Sequence, residues 1–302
     1  MDLQTTGVSA NQKIKDYYYV TKPNVISLLV FTGAAAYVAS AGWHTNILTL
    51  IIVAVAVWCG SAAANTVGSY FDRDIDAIML RTRKRPIPAE KITPNQALGY
   101  GLSLLAVSLS LSFVLLSWMS GLAMAVGFLD YTIVYSLITK RRTPLNILLG
   151  GFSGVMPVLV GYYATLHPTI PATTALFIGF LVFFWIPEHI WSLAVRYKVD
   201  YQNAKVPMLP VVVSEKTSVR VIAVTSIIMI VYSLAPILFS QLSLHFVYIA
   251  SACVLGGAVL ALNIWLLREP SAVRAWTVFK FSSPYLFFIF LAIMADVLLY
   301  TR

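Results

Sequence analysis

The sequence predicts an all-α integral membrane protein, a bundle of about nine transmembrane helices. Its 302 residues are 59% apolar and 11% charged, with a mean hydropathy of +0.81. So little polar surface cannot coat a water-soluble globule of this size. Nine separate runs are long and apolar enough to cross a bilayer core of about 30 Å. Every lysine and arginine except Arg302 falls on one side when the chain is threaded through those runs. No segment shows the period-2 alternation of a membrane barrel.

The runs lie at about 24–42, 47–69, 97–119, 121–138, 145–165, 171–196, 218–240, 245–267 and 279–300. Short links follow the first, third, fifth and seventh, and longer charged links follow the second, fourth, sixth and eighth. Cytoplasmic segments carry the lysine and arginine excess, so the N-terminus is expected inside. The segment 1–22 is polar and mixed in charge, without the architecture of a cleavable signal peptide, so the first span is expected to serve as its own insertion signal. A missed or invented helix would scatter the cations over both faces. The whole chain reads as one membrane domain, without repeats or low-complexity segments.

The net charge of +9 is therefore a cytoplasmic belt along a lipid bilayer, and nucleic acid is not an expected partner. Cys59 and Cys253 both fall inside apolar runs, which leaves no disulfide framework and no cysteine metal site.

The second span runs into Asn65, Asp72, Asp74 and Asp76, followed by Arg81, Arg83, Lys84 and Arg85. At about 100° per residue, Asp72 and Asp76 flank the azimuth of Asn65 by about 20° on either side, and Asp74 points the opposite way. Two carboxylates one turn apart repel unless a cation lies between them. All-oxygen ligands favour Mg²⁺, which uses one or two carboxylates together with substrate phosphates. The same acids also read as the start of a solvated loop. Asn65 tilts the balance, because an amide inside the bilayer boundary requires a partner.

After the fourth span come Lys140, Arg141, Arg142, Thr143 and Pro144. Positive-inside anchoring is sufficient reason for three adjacent cations, and in company with Arg81, Arg83, Lys84 and Arg85 on the same membrane face they also suit a phosphate group. Asp130, inside the fourth span, is expected to face protein or a water-filled cavity, with Tyr131 beside it. The sixth span carries Trp185, Pro187, Glu188 and His189, then Arg196, Lys198, Asp200 and Tyr201. Pro187 predicts a kink bordering a cavity. His189 is the histidine on the cytoplasmic half; on its own it reads as a bundle residue before it reads as a ligand. Asp296, near the outer end of the last span, is expected to make a structural contact. Together these residues suit an amphiphile with a diphosphate head and a hydrocarbon tail, the shape of an isoprenyl diphosphate.

The acidic run 72–76 with Arg81, Thr82, Arg85 and Pro86, the 140–144 run through Asn146, Gly150 and Gly151, Trp185 with His189, and Asp200, Tyr201 and the 206–210 segment resemble the heme-farnesylating branch of the UbiA-type intramembrane prenyltransferases. The resemblance spans about 15–300. It implies a nine-helix bundle around a central cavity, and transfer of farnesyl from farnesyl diphosphate to a vinyl group of heme B, giving heme O for terminal oxidases. It also implies Asp72 and Asp76 as Mg²⁺ ligands, with Arg81, Arg85, Lys140 and Arg141 on the departing diphosphate. His189 becomes the expected heme contact, and Asp200 with Arg196 and Lys198 the counterpart of a second acidic motif. A heme A synthase or the oxidase-assembly machinery is the expected downstream partner. Two departures stand out. Gly68 occupies the usual position of an asparagine, for which Asn65 is the expected substitute as a metal ligand, and Glu188 occupies that of a proline. The competing readings are a UbiA-type enzyme acting on an aromatic quinone precursor, which has no need of His189, and a non-catalytic heme carrier or oxidase-assembly factor, which has no need of Asp72 and Asp76.

Overall fold

The computed structural model describes residues 9–300; Arg302, the expected outer-side cation, and the first eight residues of the N-terminal segment lie outside them. Among the described residues all regular structure is helical, and eight helices are long and apolar enough to span a membrane. A short helix α1 (Ala10–Val20) precedes α2 (Pro23–Ala41), α3 (Ile47–Phe71), the six-residue α4 (Arg73–Ile78) and α5 (Pro94–Ser110). Helix α6 (Trp118–Leu129) continues as a π-helical stretch over Asp130–Thr139. Beyond the fifth segment come α9 (Ala172–Arg196), α10 (Lys198–Asn203), α11 (Leu209–Val212), α12 (Glu215–Ser233), α13 (Phe246–Arg268) and α14 (Ala272–Tyr300). Small residues let α3 press against its neighbours: Ala56, Ala62 and Ala63 have no exposed surface, and Ser108 of α5 donates to the Ala56 carbonyl at 2.7 Å. Helix α9 runs through Pro187 at the centre of the bundle, packing on α12 and α14.

The fifth expected span is not one continuous helix. It divides into α7 (Asn146–Leu149), a 3₁₀ turn over Gly151–Gly154 and α8 (Met156–Tyr163). Hydropathy sees only that the run is apolar; its glycines decide the geometry. A Cβ on Gly150 would stand 2.4 Å from Tyr135 Cβ, and one on Gly154 2.7 Å from Ile186 Cδ1. Irregular backbone at membrane depth survives only where its polar groups find partners. Asp130 supplies one, accepting from the Ser153 N–H at 2.7 Å. The intramembrane acid and the broken helix explain each other. At the outer end, Asp296 accepts from the backbone N–H of His245 at 2.7 Å and of Tyr248 at 3.1 Å, capping α13.

Candidate active site

Helix α3 ends on Asp72, whose N–H still bonds the Gly68 carbonyl, and α4 restarts at once, the Asp76 N–H bonding the Asp72 carbonyl at 2.8 Å. Helical spacing therefore persists across the junction. Asp72 and Asp76 are each only 3% exposed, whereas Asp74 faces solvent with Arg141 at 2.6 and 2.7 Å. Arg141 also donates to the Phe71 carbonyl, so it braces the rim of the site.

The chain then folds over the acids. Thr82 Oγ1 donates to the Asp76 carbonyl at 3.0 Å, and Arg85 grips the Asp76 carboxylate at 2.8 and 3.1 Å. Asp200, in α10, accepts from the Arg81 N–H at 3.0 Å, so the second acidic region anchors the loop that carries Arg85. The Arg81 guanidinium lies over the Tyr197 ring, 5.2 Å from its centroid. Lys140 donates to Asp72 Oδ2, and Asp72 Oδ1 is buried without a hydrogen-bond partner.

Burial pushes the Asp76 carboxyl up, but Arg85, Lys22 and Lys140 outweigh it and hold the group below its usual range. Burial works equally against the Lys140 ammonium, and Asp72 overrides it, raising the lysine above its ordinary value. Lys22, which enters α2, lacks such a partner. Burial first, then repulsion from Arg85, bring its amine down to about 7.

Sequence periodicity alone does not place Lys140 on this face. Counted at 3.6 residues per turn it lies opposite Tyr131. The π-helical stretch 130–139, with about 4.4 residues per turn, brings residues 131, 135 and 140 into line. The Tyr131 and Tyr135 rings lie 5.6 Å apart, and the Lys140 amine is 5.5 Å from the Tyr135 centroid.

Tyr131 also settles the contacts of Asn65. Its hydroxyl donates to Asn65 Oδ1 at 3.2 Å, and Asn65 Nδ2 donates back to the Ser61 carbonyl. Gly68 makes this possible, since a Cβ there would stand 2.9 Å from Tyr131 Cε1. Lys198 lines a separate recess with Glu215 and Ser218, and Arg196 is exposed at the end of α9. Neither joins the half-buried cations Arg85 and Lys140 at the acids.

His189 sits further into the bundle. Its Nδ1 is 2.6 Å from Ser282 Oγ, and its ring stacks on Trp185 at 4.2 Å and packs on Phe279 at 4.4 Å. Phe279 stacks on Trp276, and Trp276 meets Tyr197 edge-on. A file of rings thus runs from His189 to the Arg81 loop. The neighbouring Glu188 turns away, its Oε1 accepting from Asn263 at 3.3 Å.

A model of the UbiA prenyltransferase family matches residues 28–292. The chain belongs to that family. Curated UbiA relatives include protoheme IX farnesyltransferase 2 of Cenarchaeum symbiosum, 40% identical over 95% of this chain and 97% of the relative. The protoheme IX farnesyltransferase of Desulforudis audaxviator is 43% identical over 94% and 88%. Among solved structures, a digeranylgeranylglyceryl phosphate synthase covers 95% of this chain and 99% of its own at a TM-score of 0.76 and 20% identity. A UbiA homologue from Archaeoglobus fulgidus bound to GPP and Mg²⁺ covers 93% and 99% at 0.62 and 16%. These likenesses establish the UbiA prenyltransferase fold.

Proposed function

We propose that this chain transfers the farnesyl group of farnesyl diphosphate to a vinyl group of heme B, with Mg²⁺ as cofactor. The observation that carries the reading is the pair Asp72 and Asp76, buried side by side at the end of a membrane helix and held by Arg85 and Lys140. Among the described residues no three histidine, cysteine, aspartate or glutamate side chains converge as a ready-made metal cage. Two carboxylates with one unpartnered oxygen instead fit an ion that completes its shell with substrate phosphates and water. Bound there, Mg²⁺ would neutralise charge on the diphosphate.

Arg85 and Lys140 stabilise the charge that builds on the diphosphate as its bond to the allylic carbon breaks. The vinyl carbon attacks that allylic cation. Water adds to the cation left beside the porphyrin and releases a proton, giving a hydroxyethylfarnesyl group. Asp200 serves by fixing the Arg81 backbone, Arg141 by bracing the rim, and Asn65 by holding Tyr131. His189 is the heme contact, and the apolar bundle keeps water from the cation until the prenyl bond has formed. The N-terminus and the site face the cytoplasm of the cell membrane, supported by the cations around the acids.

The test is to supply membranes containing the protein with heme B, farnesyl diphosphate and Mg²⁺ and to follow hydroxyethylfarnesyl heme by mass spectrometry. Prenylation of an aromatic quinone precursor in its place would overturn the heme assignment.

A further inference from the structure

Of the four cations expected on the departing diphosphate, three reach the acidic run: Arg85 pairs with Asp76, Lys140 with Asp72 and Arg141 with Asp74. Arg81 does not. Its side chain makes no hydrogen bond or ion pair with any described residue, and its guanidinium lies over the face of Tyr197, 5.2 Å from the centroid. Asp200 fixes the backbone of the same residue. The side chain is thus held at its root by Asp200 and at its head by Tyr197, while its donors stay free. The residue is exposed, and an arginine stacked on a ring still presents a planar fork, the geometry that receives a carboxylate through two hydrogen bonds.

Tyr197 is also one end of the file of rings. Trp276 meets it at 6.0 Å, Phe279 follows at 4.8 Å and His189 at 4.4 Å. Eight residues of α9 and its cap separate His189 from Tyr197, about 12 Å along the helix axis. The file therefore joins an imidazole inside the apolar bundle to an unpaired cation at its edge. Heme B has the matching order of chemistry: iron at the centre of a flat apolar macrocycle, and two propionates on one edge.

We propose, on the heme reading above, that Arg81 binds a propionate carboxylate of heme B and so serves the acceptor rather than the diphosphate. The macrocycle then lies along the rings with its iron toward His189, and its charged edge stays at the exposed rim, where no carboxylate is carried into the apolar interior.

Iron protoporphyrin IX dimethyl ester separates the carboxylates from the rest of the ligand, and the Soret shift reports binding of either porphyrin to the full-length protein in detergent. The wild type should bind heme B about ten-fold or more tighter than the diester. Arg81→Gln, which keeps the backbone N–H that Asp200 accepts, should lose about that factor for heme B. Its affinities for the diester and, with Mg²⁺, for farnesyl thiodiphosphate should stay within about three-fold of wild type. Arg83→Gln, another exposed cation of the same loop, should leave all three affinities unchanged. Equal affinity of the wild type for heme B and the diester overturns the proposal without any variant. An Arg81→Gln protein that binds heme B like wild type, or that loses the thiodiphosphate instead, also overturns it. So does an equal loss in Arg83→Gln, which would reduce the effect to general attraction between charges. A wild type that gives no Soret shift with either porphyrin overturns the heme reading itself.

Discussion

Lys140 donates to one oxygen of Asp72 and leaves the other, equally buried, without a partner. The lysine side chain is 13% exposed and the aspartate 4%, so removing the cation strands a carboxylate away from water. Breaking a buried ion pair from one side costs about 3–5 kcal/mol. In detergent with a chelator, Lys140→Met should lower the unfolding free energy by about 3 kcal/mol. Added Mg²⁺ should stabilise the variant more than the wild type, because the ion takes over the role of the missing ammonium. Equal Mg²⁺ effects on both proteins would argue that Asp72 is not a metal ligand.

The three acids of the 72–76 run should behave differently although they are neighbours in sequence. Asp72→Asn and Asp76→Asn should each reduce turnover by about 10²–10³-fold or more at saturating Mg²⁺, the order expected when a group supporting transition-state charge is lost. Asp74→Asn should leave turnover within about ten-fold, since it loses only an exposed pair with Arg141, worth about 0–1 kcal/mol. The hydrogen bond from Arg141 holds the Asp74 carboxyl below its usual range. Its contribution to stability is therefore present above the unfolded value of about 3.9 and disappears as pH falls through the lower folded value. Between pH 6 and 8 the wild-type and Asp74→Asn unfolding curves should differ by a constant offset, readable from thermal midpoints.

Much of this was legible in the sequence. Spacing alone separates Asp72 and Asp76 from Asp74, because the helical hydrogen bonds continue across the junction of α3 and α4. The segregation of cations is a property of the sequence itself, since charge is costly in hydrocarbon. Three features were hidden. The fifth span breaks because Gly150 and Gly154 admit Tyr135 and Ile186, a tertiary contact that no hydropathy window registers. Lys140 reaches the acids because residues 130–139 adopt π-helical turns, which changes the period on which any face assignment depends. Lys22 reads only as part of the cytoplasmic belt, and the dipeptide with Pro23 alone does not announce its left-handed backbone.

Gly68→Ala should test how tightly Tyr131 is seated. The new methyl would meet Tyr131 Cε1 at 2.9 Å and Ser136 Oγ at 3.3 Å. A ring edge inside a packed bundle gives way at an overpacking cost of about 1–3 kcal/mol. The displaced hydroxyl also leaves Asn65. Tyr131→Phe isolates that second effect at about 1 kcal/mol. Gly68→Ala should therefore lose more thermal stability than Tyr131→Phe. The reverse order would show that the hydrogen bond, rather than the space, is what Gly68 protects.

His189 and Ser282 provide the test of the acceptor side. The serine engages Nδ1, and Trp185 and Phe279 fix the ring plane, so the orientation of the imidazole is set before any heme arrives. A nitrogen fixed through its partner on the ring is the usual arrangement for a histidine that ligates a metal. Heme B titrated into the purified protein should give a shifted Soret band. His189→Ala should abolish that shift while leaving farnesyl thiodiphosphate affinity within about three-fold, since no contact joins His189 to the acids. Ser282→Ala should keep a shifted band at weaker affinity, by about 1 kcal/mol for the lost orienting bond. If His189→Ala weakens both ligands equally, the histidine supports the bundle rather than the porphyrin, and the file of rings from Trp185 to Tyr197 is structural packing alone.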